Sequence, residues 1–140
     1  MEDAKTLFAS LRDKARKAEF ARMQLEELKT AAAKCTPVMH LAPSGGGGES
    51  RTLENNVLRI EAAEKELQAI IADYVATKLK VMELIRLLPD ADQQQVLQLR
   101  YVEGMYIHDI ARKMLYSDTK IRKLEREAVE FADELLKKMR

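Results

Sequence analysis

Eight side chains between Arg112 and Arg126 carry the chemistry most worth following: Arg112, Lys113, Ser117, Thr119, Lys120, Arg122, Lys123 and Arg126. Lysine and arginine neutralise phosphates, hydroxyls bond to phosphate oxygens, and arginine reads guanine through two parallel hydrogen bonds. From Ala111 to Arg126 six cations stand against two acids, Asp118 and Glu125, a local net charge of +4. Residues 89–103 carry three acids and one arginine, and the whole chain has a net charge of only +1. Positive charge gathered in one stretch of a near-neutral chain points to a local nucleic-acid contact rather than general stickiness.

The elements that must position these groups are short helices. Gly104 is placed to end one helix in the left-handed conformation. A helix follows over 107–114, then a three-residue break at Leu115, Tyr116 and Ser117, then a longer helix from Asp118. Two helices joined by so short a turn form a helix-turn-helix, whose second helix can lie in the DNA major groove. Projected at about 100° per residue from Ile121, the residues Leu124, Ala128, Phe131, Ala132 and Leu135 fall within about 80° and form the core stripe. Arg122, Arg126, Thr119 and Lys123 fall at about 100° to 200°, on the opposite face near the helix start. A solvated charged face would look similar on an arbitrary amphipathic helix. The partner helix and turn at the right spacing favour DNA binding over that reading. Ser117 is the expected cap of the second helix, and Asp118 suits its positive end. On the first helix, Ile107, Ile110, Ala111 and Met114 should face inward, with His108 outward as an inert surface side chain.

Residues 87–128 resemble region four of the sigma-seventy-type bacterial transcription factors and its phage relatives. The matching pieces are LLPDADQQQVLQLRYVEG, IHDIARKM and YSDTKIRKLEREA, in that order. The preceding half, with prolines and a glycine run between two long helices, resembles small phage proteins of gram-positive hosts, including those of the ArpU and RinA type classed as late-gene transcriptional regulators. The resemblance implies promoter DNA as target and a possible contact with bacterial RNA polymerase. Two positions depart from the family. Leu115 stands where a turn glycine is common, so a longer or differently shaped turn is expected. Tyr106 replaces the usual Ser or Thr cap, so the first motif helix is expected to fray at its start.

With 46% hydrophobic and 34% charged residues, the 140-residue chain reads as a soluble, mostly helical protein. One cysteine permits no internal disulfide. MEDAK at the start is not a secretory signal pattern, and no apolar run approaches the ~18 residues of a membrane span, so a cytoplasmic protein that does not engage membranes is expected.

Two long helices should precede the motif. The first, from about residue 3 to 35 with Asp3 as its cap, carries a heptad ladder through Leu7, Leu11, Lys14, Ala18, Ala21, Leu25, Leu28, Ala32 and Cys35. Pro37, Pro43 and the glycines 45–48 predict a flexible loop over 36–50. The second helix, 51–88, shows a seam through Leu53, Val57, Ile60, Leu67, Ile71, Tyr74, Val81, Ile85 and Leu88. The two fold back as a hairpin or pair between chains as a homodimer; the heptads do not decide, and the small core of a two-helix hairpin leans toward self-association. Pro89 stops the second helix, and Asp90 with Gln93 has the pattern of a capping box. The expected architecture is all-α: a long coiled-coil hairpin (1–88), then a small bundle with a sigma region-four-like helix-turn-helix (89–140).

No nucleophile with a base, phosphate cradle or metal cluster stands out, so neither an enzyme nor a bound cofactor is expected. The glycine run lacks the Lys-Ser or Lys-Thr of a P-loop, and Cys35 with His40 is not a ligand set. The leading expectation is a sequence-specific regulator of transcription on double-stranded DNA, its recognition helix about 118–136. Two alternatives belong to other classes: a phage DNA-packaging subunit of the small-terminase kind, and a coiled-coil module that binds only protein.

Overall fold

The computed structural model describes residues 2–41 and 47–139. The protein is all-α; among the described residues there is no strand. In order come α1 (Ala4–Leu41), α2 (Gly47–Arg86), α3 (Ala91–Leu97), α4 (Ile107–Met114) and α5 (Asp118–Met139), and a π-helical turn (Gln98–Val102) prolongs α3.

Asp3 opens α1 as the sequence suggests. Its carboxylate accepts a hydrogen bond from the Thr6 amide at 2.8 Å, and bonding from Thr6 holds the Asp3 carboxyl below the usual carboxylate range. The expected break at 36–50 is narrower than the prolines indicated. α1 continues through Pro37 to Leu41, and α2 already begins at Gly47; residues 42–46, with Pro43, lie outside the described part. Proline's fixed φ is compatible with a helix, although Pro37 removes one backbone hydrogen bond from it. The alanines 31–33 just before it have the highest helix propensity.

The chain divides into two compact units. One joins residues 1–15 to 73–140, and the other comprises 16–72. The first turns of α1 and the last turns of α2 belong with the C-terminal bundle.

The larger unit holds two hydrophobic clusters. In the first, Ala4, Leu7, Phe8 and Leu11 of α1 meet Val81, Leu84 and Ile85 of α2, Leu88, Leu97 of α3, and Ala128, Ala132 and Leu136 of α5. Phe8 stacks on Tyr101 with ring centroids 5.2 Å apart. Lys14, the polar rung of the α1 ladder, is satisfied by the Thr77 hydroxyl at 2.8 Å and Asp73 at 3.2 Å. Asp133 on α5 accepts from the Ala4 amide at 3.1 Å, tying the start of α1 to the last helix. The second cluster, under the motif, is described below.

In the smaller unit α1 and α2 run antiparallel within one chain, with Lys29 Nζ 3.7 Å from Glu64 Oε1. Along the α1 ladder Leu7, Leu11 and Leu25 are buried and Ala18, Ala21, Leu28 and Ala32 half-buried, while the side chain of Cys35 lies outside the described part. The α2 seam does not hold along its length. Ile60, Leu67 and Tyr74 are half-buried and Val81, Ile85 and Leu88 buried, but Leu53, Val57 and Ile71 are exposed.

Asp90 caps α3, accepting from the Asp92 amide at 3.1 Å, but the capping box is not completed. Gln93 Oε1 is buried without a hydrogen-bond partner. Gln94 takes up the structural task instead: its amide donates to the carbonyls of Leu88 at 2.7 Å and Arg86 at 3.2 Å, closing the end of α2.

Candidate nucleic-acid interface

The motif rests on a closed core. Val96 and Leu99 beneath it, Ile110 and Ala111 of α4, and Ile121 and Leu124 of α5 are buried together, with Met105, Ile107, Met114 and Tyr116 around them. Gly104, at φ +73, turns the chain out of the π-helical turn and into α4, as its position in the sequence predicts. Tyr106 makes no side-chain cap, yet α4 starts at Ile107 with a backbone bond from Ile110 to the Tyr106 carbonyl at 3.0 Å.

The turn keeps its three residues without a glycine. Leu115 itself adopts the left-handed conformation, φ 61 and ψ 39, and Tyr116 donates its amide to the Ala111 carbonyl at 3.0 Å. For a leucine that conformation costs about 1–2 kcal/mol, and its side chain, 89% exposed, recovers nothing by burial. Ser117 caps α5 as expected, its hydroxyl accepting from the Lys120 amide at 3.1 Å.

Two tyrosine contacts hold the motif on the bundle. The Tyr116 hydroxyl donates to Asp92 Oδ2 at 2.7 Å, and this bond raises the Tyr116 pKa. Lys120 Nζ lies over the same ring, 4.1 Å from its centroid. Deeper, the Tyr101 hydroxyl donates to Glu125 Oε1 at 2.6 Å, with Arg100 Nε 3.7 Å from that oxygen. That last separation is an ion pair without a hydrogen bond, and Arg100 Nε has no other partner. Burial first, then the bond to Glu125, pushes the Tyr101 pKa up.

Glu125 is therefore half-buried and stands on the inner side of α5. It points inward and is compensated by Arg100, which leaves the exposed surface of α5 more positive than the sequence tally. The helical wheel held the signal: Glu125 lies about 40° from Ile121, inside the core arc. An acid there needs a partner.

The expected contact residues stand together on the outside of α4, the turn and the first half of α5. Arg112, Lys113, Ser117, Thr119, Lys120, Arg122, Lys123 and Arg126 are all exposed. Among the described residues Arg112, Lys113, Arg122 and Arg126 form no ion pair, and Lys123 has only a loose pair with Glu127 at 3.9 Å. The capped start of α5 adds the positive end of its helix dipole to the same region. His108, expected to be inert, lies with Nδ1 3.5 Å from Asp118 Oδ1 beside that start. Further along, Leu136 is buried, but Phe131, placed in the core stripe by its wheel position, is 37% exposed. The buried row is Ile121, Leu124, Ala128, Ala132 and Leu136, which leaves Phe131 at its edge.

Among the described residues no group of three or more His, Cys, Asp or Glu is placed to hold a metal ion. No helix among them is long and apolar enough to cross a membrane. No curated protein and no solved structure matches the chain. Residues 33–133, well over half of the sequence, match the family described as "Protein of unknown function (DUF1492)", and the chain belongs to that family.

Proposed function

We propose that this protein is a sequence-specific DNA-binding regulator of transcription that lays the first half of α5 in the major groove. Arg122, Lys123 and Arg126 with Thr119 meet base edges, while Arg112, Lys113 and Lys120 hold phosphates and Ser117 fixes the helix start. The observation that carries this reading is the exposed cationic face at the start of α5, opposite the buried Ile121, Leu124 and Ala128. Charges that served only the fold would be expected in compensating pairs along the helix. The cations at 122 and 126 have none.

The resemblance of residues 87–128 to sigma region four supports promoter DNA as the target and RNA polymerase as a further partner. The likeness of the first half to ArpU- and RinA-type proteins supports a phage origin and a late-gene role. The test is selection of bound sequences from a random double-stranded pool, followed by gel-shift titration of the Arg122/Lys123/Arg126 triple alanine variant. A defined motif, lost in the variant, supports the proposal. Equal binding by the variant, or no salt-dependent affinity at all, removes it.

A further inference from the structure

Lysine is a flexible phosphate contact. Its ammonium rides on a four-carbon stem, and holding that stem in one arrangement against a phosphate costs rotamer entropy at the moment of binding. A neighbour that fixes the stem beforehand removes part of that cost, provided it leaves the charge uncancelled. A carboxylate fixes a lysine but neutralises it. The face of an aromatic ring attracts the ammonium and carries no net charge, so the N–H groups turned away from the ring stay free to donate.

Lys120 is held in the second way. Its Nζ lies 4.1 Å from the centroid of the Tyr116 ring, and among the described residues it forms no ion pair. The ring is itself located. Its hydroxyl donates to Asp92 Oδ2 at 2.7 Å, and the half-buried ring packs against the cluster under the motif. At the other end of the lysine, its amide donates to Ser117 Oγ at 3.1 Å. Backbone and ammonium are thus each held while the residue stays exposed. The other cations of the face have no such seat: among the described residues the one further lysine over a ring, Lys78 over Tyr74, stands on α2.

We propose that Tyr116 is a positioning residue for DNA binding: it acts through Lys120, presetting the ammonium over its ring for a phosphate oxygen beside the start of α5. The inference rests on the DNA reading of this face and adds to it a residue that itself needs no contact with DNA. Asp92 belongs to the same device, because its carboxylate anchors the ring to α3. A lysine placed in advance decides where the duplex backbone meets the motif. It thereby sets the register in which Arg122 and Arg126 meet base edges, since phosphate contacts position and base contacts specify.

Two measurements on the full chain test it. In the free wild type the ring should shield the Lys120 ε-methylene protons, which NMR reads as an upfield shift that Lys113 and Lys123 lack. That shift should persist when double-stranded DNA of mixed sequence is added, a result that needs no variant and so stands should a substitution unfold the motif. Affinity for the same DNA is then titrated against salt in wild type, Tyr116→Leu, Lys120→Ala and the double variant. Tyr116→Leu should weaken binding about threefold to tenfold with the salt slope unchanged, because the lysine still neutralises its phosphate. Lys120→Ala should lower the slope by about one, and in its background Tyr116→Leu should have little further effect. Tyr116→Phe, which keeps the ring, should retain the shift and most of the affinity. An unshifted Lys120, a shift lost on adding DNA, a Tyr116→Leu loss of equal size with and without the lysine, or a phenylalanine variant that behaves as the leucine one would each overturn the inference and leave the DNA reading standing. A wild type without salt-dependent binding would remove that reading, and the inference with it.

Discussion

Tyr101 donates its hydroxyl to Glu125 at 2.6 Å, and through that bond the π-helical turn after α3 fixes the inner side of the helix whose outer side bears the cations. A hydrogen bond to a charged acceptor in a partly buried site is worth about 1.5–3 kcal/mol. Tyr101→Phe should therefore lower the urea midpoint by that much stability with the slope unchanged. Glu125→Ala should cost at least as much, because it also strips the partner from Arg100, whose side chain is only 21% exposed. Chemical denaturation of the two variants checks both.

On the proposed DNA reading, Arg122→Ala and Arg126→Ala should each lose about 1–3 kcal/mol of binding and relax specificity at one base position. Lys113→Ala should weaken all sequences alike and reduce the salt slope by about one. Titrations at several salt concentrations separate the two behaviours. All three side chains are exposed, so stability should stay within about 0.5 kcal/mol of wild type.

Leu115→Gly should stabilise the protein by about 1 kcal/mol. The left-handed position costs leucine about 1–2 kcal/mol, and glycine's larger entropy loss on folding returns part of the gain. Nothing is lost by removing so exposed a side chain. Ser117→Ala, two residues on, should cost about 1 kcal/mol by freeing the first amides of α5. Thermal melts of the pair should move in opposite directions.

Alkaline titration should loosen the motif. Tyr101 and Tyr116 both have pKa values raised above the ordinary 10.0, so the folded state holds their protons more tightly than the unfolded chain does. Their contribution is fully present below about pH 10 and is lost as pH rises through the raised values. Denaturation midpoints measured across that range should fall, and the fall should be shallower in Tyr101→Phe/Tyr116→Phe.

Where local chemistry decides the structure, the sequence was readable. Asp3, Ser117 and Gly104 act within a turn of themselves, and each does what its residue type predicts. The α1 ladder was also legible, since it is short of large side chains and admits one facing. The errors came from longer-range effects. On α2, Leu53, Val57 and Ile71 are exposed although they share a spacing with the half-buried Ile60 and Leu67, so spacing alone does not say which positions are covered. α1 continues past Pro37 to Leu41, although a proline ordinarily ends or kinks a helix. A charge count over a stretch does not tell an inward Glu125 from an outward one, and its half-buried partners Arg100 and Tyr101 lie more than twenty positions away. Gln94 closes α2 rather than α3, a service no capping pattern describes. The cationic face itself was visible at once, because six cations cluster within sixteen residues.

α5 is held along its inner side by two separate hydrophobic clusters, Ile121 and Leu124 in one, Ala128, Ala132 and Leu136 in the other. A stylus clamped at both ends has little compliance of its own. Any surface it is pressed against must supply the give. A double helix would do so by yielding at soft pyrimidine–purine steps, which would then be preferred over stiff A-tracts even at positions no side chain touches.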